Sequence, residues 1–239
     1  MILKFLRIVL VALMFLPTPV LAALPEAQPP VRYMALGDSI AAGYKAMPAT
    51  SGYAYQLYLG RAFGDIPDVL FDNASVPGAT SLDLLKYQLP QVALFKPNVV
   101  TISIGGNDLL KLLADPNSKP TEVLDAFSQN LGASLEQLCA PLSQVDRIFI
   151  HNLYAIPEIP PSQPAVLAFN DVLAKTVASK DLSCKGKVAV ADVYNAFLGQ
   201  KNLLLIERYL KKGIDVLEVH PTDKGHRVIE DTFRALIGR

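Results

Sequence analysis

Beyond residue 30 the chain alternates two patterns of apolar and polar positions. Short runs rich in β-branched residues, several closely preceded by Pro, Asp or Gly, predict strands at residues 32–36, 69–73, 99–104, 147–152 and 187–193. Longer stretches between and after them predict helices near residues 53–63, 82–87, 121–139, 163–180 and 222–236. Thr121 and Thr222 have the character of N-caps, and Asp83 favours a helix start. Strands alternating with helices imply a parallel sheet covered on both faces and joined by right-handed crossovers. The proline-rich stretch from Pro157 to Pro164 is too short to divide domains and reads as a loop. No internal repeat breaks the pattern.

The first residues do not belong to it. Lys4 and Arg7 precede an apolar stretch at residues 8–16, Pro17 and Pro19 break any helix, and Val20-Leu21-Ala22 offers a small-residue cleavage site. Residues 1–22 are therefore expected to be a signal peptide, with one domain over residues 23–239, exported to a periplasm or the medium. The alternative is an uncleaved anchor, but the apolar stretch is short for ~30 Å of hydrocarbon. Both cysteines lie far downstream, so none is near the cleavage site for lipid attachment. A chain of 239 residues, 51% hydrophobic, can bury a sizeable core. Its 22 basic and 22 acidic residues balance, giving no reason to invoke nucleic acid or an anionic membrane surface.

Three separated stretches carry candidate chemistry: Gly37-Asp38-Ser39-Ile40, Gly105-Gly106-Asn107-Asp108 and His220-Pro221. Ser39 falls where the first strand gives way to a helix, at the sheet edge where open α/β folds place ligands and backbone N–H groups face negative charge. A serine hydroxyl needs a base, normally histidine. Of the three histidines, His151 lies in a strand pattern and His226 within the last helix, whereas His220 precedes Pro221 and the Thr222 cap, on a loop entering that helix. Asn107 offers an amide donor for an oxyanion. Each residue also has a plainer role: Ser39 as a helix cap, Gly78 as a turn after Pro77, Asn107 bonding loop backbone. Asp38 and Asp108 read as structural, bonding their own turns. Leu109, Leu110, Leu112 and Leu113 line an acyl pocket or form one apolar helix face, and the second reading is preferred.

Cys139 and Cys184 each close a helix ahead of a late strand. If those strands are neighbours, both cysteines reach the amino edge of the sheet, and an oxidising compartment favours a disulfide over two buried thiols.

Together with Asn73-Ala74-Ser75-Val76-Pro77-Gly78-Ala79-Thr80 and Val219-His220-Pro221, the first two stretches resemble the four ordered blocks of the SGNH hydrolase superfamily, the GDSL-type esterases and lipases. The resemblance implies a flavodoxin-like three-layer α/β/α fold with sheet order 2-1-3-4-5. It further implies hydrolysis of esters or thioesters through an acyl-enzyme, with no metal or cofactor. Ser39 is then the nucleophile and His220 the base. The backbone N–H of Ser39 is an oxyanion donor by its geometry, and those of the Gly78 backbone and Asn107 side chain are carried over from the family. A small-molecule ester or lipid is the expected partner of a monomer with no stable membrane anchor.

One position departs from that family. Its acid lies three residues before the histidine, and here that residue is Leu217. Glu218, two residues before His220, shares its side of an extended segment; Asp215 needs a bend to reach it; a backbone carbonyl would leave a Ser-His dyad. Two other classes are carried. A phosphoesterase calls for clustered metal ligands or arginine clamps, and no such motif is found. A non-catalytic secreted binding protein on the same fold is disfavoured by intact Ser39, Gly78, Asn107 and His220, and mildly favoured by Leu217.

Overall fold

The computed structural model describes residues 30–156, 159, 162–179, 182–184, 186–211 and 214–238. The expected signal peptide lies outside the described residues. Five parallel strands form the central sheet: β1 (Val31–Gly37), β2 (Val69–Asn73), β3 (Val99–Ser103), β4 (Arg147–His151) and β5 (Val188–Ala191). Their order is β2-β1-β3-β4-β5. That is the expected topology. The predicted strands stand within two residues of the observed ends.

Strand alternation sends successive side chains into two cores. Met34, Leu36, Val100, Ile102, Ile148 and Ile150 are buried on one face. There they pack beneath α2 (Ser81–Asp83), α3 (Leu89–Phe95), α4 (Gly106–Ala114), α5 (Pro120–Cys139) and α6 (Ser162–Val177). Tyr33, Ala35, Val99 and Phe149 face the other way. They meet α1 (Tyr53–Leu59), α7 (Val193–Phe197) and α8 (Asp223–Ile237). Every residue of β3 is buried, as a strand covered on both faces requires.

Several local readings are corrected. Thr121 is not the cap of α5: Lys119 holds that position and Pro120 takes the first helical one, where its missing N–H removes nothing. Thr222 does cap α8, accepting from Gly225 N. The predicted helix at 82–87 starts at Ser81, held by reciprocal Thr80 and Asp83 side-chain bonds, and runs through a π turn at Leu84–Gln88 into α3. The helix expected around Leu109–Leu113 is α4, which starts at Gly106 with Gly105 as its cap at φ 105°.

The largest omission is an antiparallel hairpin outside the main sheet. It pairs β6 (Leu204–Lys211) with β7 (Ile214–Pro221). His220 therefore sits in β7, opposite Leu205, and not on a loop. The backbone there is extended, as the sequence implied; its pairing partner was missed because charged residues interrupt the alternation along residues 214–221.

Cys139 ends α5, but Cys184 lies in a turn beyond α6 and does not close that helix. The two are joined as a disulfide with Cα atoms 5.2 Å apart, between the segments leading into neighbouring β4 and β5. It closes a separation of 45 residues, for which loop entropy alone gives about 4 kcal/mol.

Candidate active site

The carboxyl ends of β1, β2 and β3 converge on one small region, and each brings one block. Gly37 ends β1 with φ 125°, and a Cβ there would meet the Ser103 carbonyl on β3. Only glycine fits so close an approach. The buried Gln88 side chain closes this end from the other side: Gly37 N donates to its Oε1 at 2.7 Å, and its Nε2 donates to Gly37 O at 2.7 Å. Gln88 was invisible in the sequence, because the π turn that aims it inward leaves no periodic trace.

Asp38 is fully enclosed. Its Oδ1 accepts from Ile40 N at 3.0 Å and from Ser103 Oγ at 2.9 Å, so it bonds its own turn as expected and also the neighbouring strand. Burial pushes its carboxyl up to about 7. Asp108 differs from expectation. It leaves its own turn and accepts from both Ser81 N (2.9 Å) and Ser81 Oγ (2.6 Å), tying the start of α4 to the start of α2.

That tie sets the spacing of the remaining groups. Asn107 is the second residue of α4, and its Nδ2 donates to Ala79 O at 2.9 Å, next to Gly78. Gly78 has φ 87°, and nothing lies within 4 Å of where its Cβ would be. The turn therefore needs glycine for its backbone angle and leaves open space above it. Among the described residues neither Ser39 N nor Gly78 N makes a hydrogen bond, so both donors are free. Asn73 anchors the second block to the first through Nδ2 to Ala41 O at 2.9 Å.

The hairpin supplies the other half. His220 Nε2 lies 2.7 Å from Ser39 Oγ. Its Nδ1 is against Glu218 Oε1. In a strand, residues two apart share a face, so β7 sets the carboxylate beside the ring without any bend. Glu218 is only 3% exposed, and its Oε2 lies 3.6 Å from Lys45 Nζ. Tyr44 lays its ring edge-on to the imidazole, with centroids 4.8 Å apart. Tyr154 Oη donates to Val219 O at 3.1 Å and pins the strand beside the histidine. Burial and, secondarily, the Lys45 ammonium push His220 down to about 4. The imidazole is thus neutral at pH 7, the state a general base requires.

The other two histidines stand apart from this line. His151 is buried in β4 with Nδ1 against Asn152 O at 2.8 Å, but its Nε2 has no partner among the described residues. His226 Nδ1 accepts from Tyr53 N at 3.4 Å inside α8. Burial drives both down to about 4. Asp215 lies in β7 opposite Leu210, toward the hairpin tip.

Beside Ser39 opens a cavity of about 100 Å³, walled by Ile40, Leu110, Leu153, Tyr154, Ile156 and Val219. The leucine run of α4 is divided. Leu109 and Leu110 border this cavity, while Leu112 and Leu113 border a separate cleft with Pro164 and Phe169, so neither single role assigned to the run holds for all four. A larger cleft of about 390 Å³, between Val92, Lys96, Leu138 and Leu142, lies at the opposite edge, away from the serine and histidine. Among the described residues no three His, Cys, Asp or Glu side chains cluster to hold a metal ion. No helix among them is long and apolar enough to cross a membrane.

The sequence profile of the GDSL-like lipase/acylhydrolase family matches residues 35–228, a span holding all four blocks. The chain belongs to that family. It is a carboxylic ester hydrolase by that membership. Among solved structures, the chain is similar to Axe2, an acetylxylan esterase from Geobacillus stearothermophilus (20% identity, 87% of this chain and 94% of that one, TM-score 0.60). It is also similar to the psychrotrophic esterase EstA from Pseudoalteromonas sp., in a structure inhibited by monoethylphosphonate (19% identity, 87% and 96%, TM-score 0.59). TesA is a third (22% identity, 84% and 94%, TM-score 0.57). At these identities the likeness speaks for the fold. A search of curated proteins found no match.

Proposed function

We propose that the chain is an exported serine esterase working through a Ser39-His220-Glu218 triad and an acyl-enzyme. The observation that carries this is the continuous line from Ser39 Oγ to His220 Nε2 at 2.7 Å and from His220 Nδ1 to the buried Glu218 carboxylate. Ser39 Oγ attacks the ester carbonyl while Nε2 takes its proton; the imidazolium then returns that proton to the departing alcohol. Water repeats the sequence on the acyl-enzyme and releases the acid. Glu218 holds the tautomer with Nδ1 protonated and offsets the charge that forms on the ring. The oxyanion is met by the free N–H groups of Ser39 and Gly78 and by Asn107 Nδ2. These steps call on no metal or cofactor.

The cavity supports an apolar acyl group. Its far wall is hydrocarbon, and the Tyr154 hydroxyl is already engaged with Val219 O. A sugar hydroxyl lodged there would exchange water for no partner, at ~1–3 kcal/mol, whereas each methylene gains ~0.8 kcal/mol. The acyl chain therefore enters the cavity, and the alcohol leaves on the solvent side. Esters of butyrate and hexanoate are expected to give higher kcat/KM than acetate.

Export rests on the charged, apolar and small-residue regions of residues 1–22, and a disulfide suits an oxidising compartment. Residues 23–239 then act as one monomeric domain.

The test is covalent. A fluorophosphonate should add to Ser39, located by peptide mass spectrometry, and Ser39→Ala should lose both the adduct and about five to six orders of magnitude in kcat while keeping its circular dichroism. Ester turnover undiminished in Ser39→Ala would remove it as the nucleophile.

A further inference from the structure

A cation, Lys45, stands behind the Glu218 carboxylate. It lies six residues after Ser39, on the loop that carries the nucleophile, in left-handed backbone with φ 68°. That region is uncommon for a residue with a Cβ and persists only where the surroundings hold it. Both ends of its loop are fixed: Ala41 O accepts from Asn73 Nδ2, and Met47 N donates to Asp223 Oδ1 at 2.8 Å, at the start of α8. The Lys45 ammonium lies 3.6 Å from Glu218 Oε2 and 5.6 Å from the centre of the Tyr44 ring, whose edge meets His220. Lys45 is 35% exposed and Glu218 only 3%.

From this geometry we infer that Lys45 is a positioning residue: its ammonium holds the outer oxygen of Glu218 and thereby keeps the inner oxygen on His220 Nδ1. The inference rests on the triad reading. A carboxylate two residues before the histidine comes from the same rigid strand, so its rotamer decides whether an oxygen meets the ring. A charge-assisted contact on the other oxygen selects that rotamer.

The same cation disfavours the imidazolium, adding to the larger effect of burial, and so moves the acid limb of activity down. Other titratable groups face this centre. Asp38 lies beneath Ser39, and Tyr44 and Tyr154 flank the strand. Glu207 is opposite Glu218 in the hairpin, while Asp223 and His226 begin α8. Glu218, against Nδ1, favours a charged ring; Lys45 and, when protonated, His226 oppose it. Removing Lys45 leaves the carboxylate less opposed, and the apparent pKa of His220 rises.

Steady-state hydrolysis of 4-nitrophenyl butyrate by the purified exported chain from pH 4 to 9 tests this. Lys45→Met should lower kcat by about three- to thirtyfold, the coupling of neighbours in one charge network, with a smaller change in KM. The acid-limb pKa of kcat/KM should move up by about half a unit or more. Lys45→Arg should restore most of both. In a Glu218→Gln background, Lys45→Met should add no further loss. If Lys45→Met does not fold, Lys45→Gln carries the same comparison. A Lys45→Met or Lys45→Gln profile superimposed on the unaltered enzyme, or a loss undiminished by Glu218→Gln, overturns the proposal. If Glu218→Gln by itself costs nothing, the triad reading falls and this one with it.

Discussion

The two halves of the site are built in different ways. Ser39, Gly78 and Asn107 stand where strands of the central sheet end, and each block is cross-tied to another: Gln88 to Gly37, Asp38 to Ser103, Asn107 to Ala79, Asp108 to Ser81. His220 and Glu218 stand on an outlying two-stranded hairpin, joined to the rest through Ser39, Lys45 and Tyr154. The first half depends on turns that only certain residues can make, so its chemistry is tied to short motifs. The second depends on which residues of a strand share a face. In the proposed triad the strand brings its acid from two positions before the histidine, where the family pattern has three.

The oxyanion side should show the largest effect of a single contact within the first half. Asn107→Ala is expected to lower kcat by about two to three orders of magnitude while the Ser39 phosphonate adduct still forms more slowly. A loss under about fivefold would mean that Asn107 serves Ala79 and not the reaction.

Farther off, at the amino edge of the sheet, the disulfide should separate stability from chemistry. Replacing Cys139 and Cys184 together by serine is expected to lower unfolding free energy by about 4 kcal/mol in urea titration, less any slack in the native loop. In the folded protein kcat should change by less than about twofold. A large loss of kcat with unchanged stability would break the separation of the two edges.

The smallest effect concerns acid. His151, His220 and His226 are each pushed below their ordinary value by burial. The unfolded chain then binds more protons than the native one between about pH 4 and 6.5, so stability rises with pH across that window. Asp38, pushed up to about 7, and Glu230, raised by burial, work in the opposite sense but are two groups against three. The Tm should therefore rise from pH 4.5 to 6.5, and His151→Asn should flatten the rise if folding is kept. A flat Tm in the unaltered protein would contradict these shifts.

The sheet was legible because each parallel strand is a short apolar run between helices, and covered strands tolerate little else. Ser39, Gly78, Asn107 and His220 were legible through their blocks, and the structure brings them together. What sequence missed depends on distant pairing. The π turn that turns Gln88 inward contradicts local periodicity. The hairpin has charged residues where alternation would have revealed it. Glu218, Asp215 and a backbone carbonyl stayed open because only the register of β7 places Glu218 on the imidazole. Lys45, 173 residues before Glu218, carried no local signal for its pairing.

That placement of the acid is tested most directly by comparing kcat of Glu218→Gln and Asp215→Asn, both with unchanged circular dichroism and Tm. Glu218→Gln is expected to lose about two to four orders of magnitude, because the amide no longer balances the imidazolium or fixes its tautomer. Asp215→Asn should stay within about threefold. A large loss in Asp215→Asn with Glu218→Gln near full activity would contradict the triad proposed here.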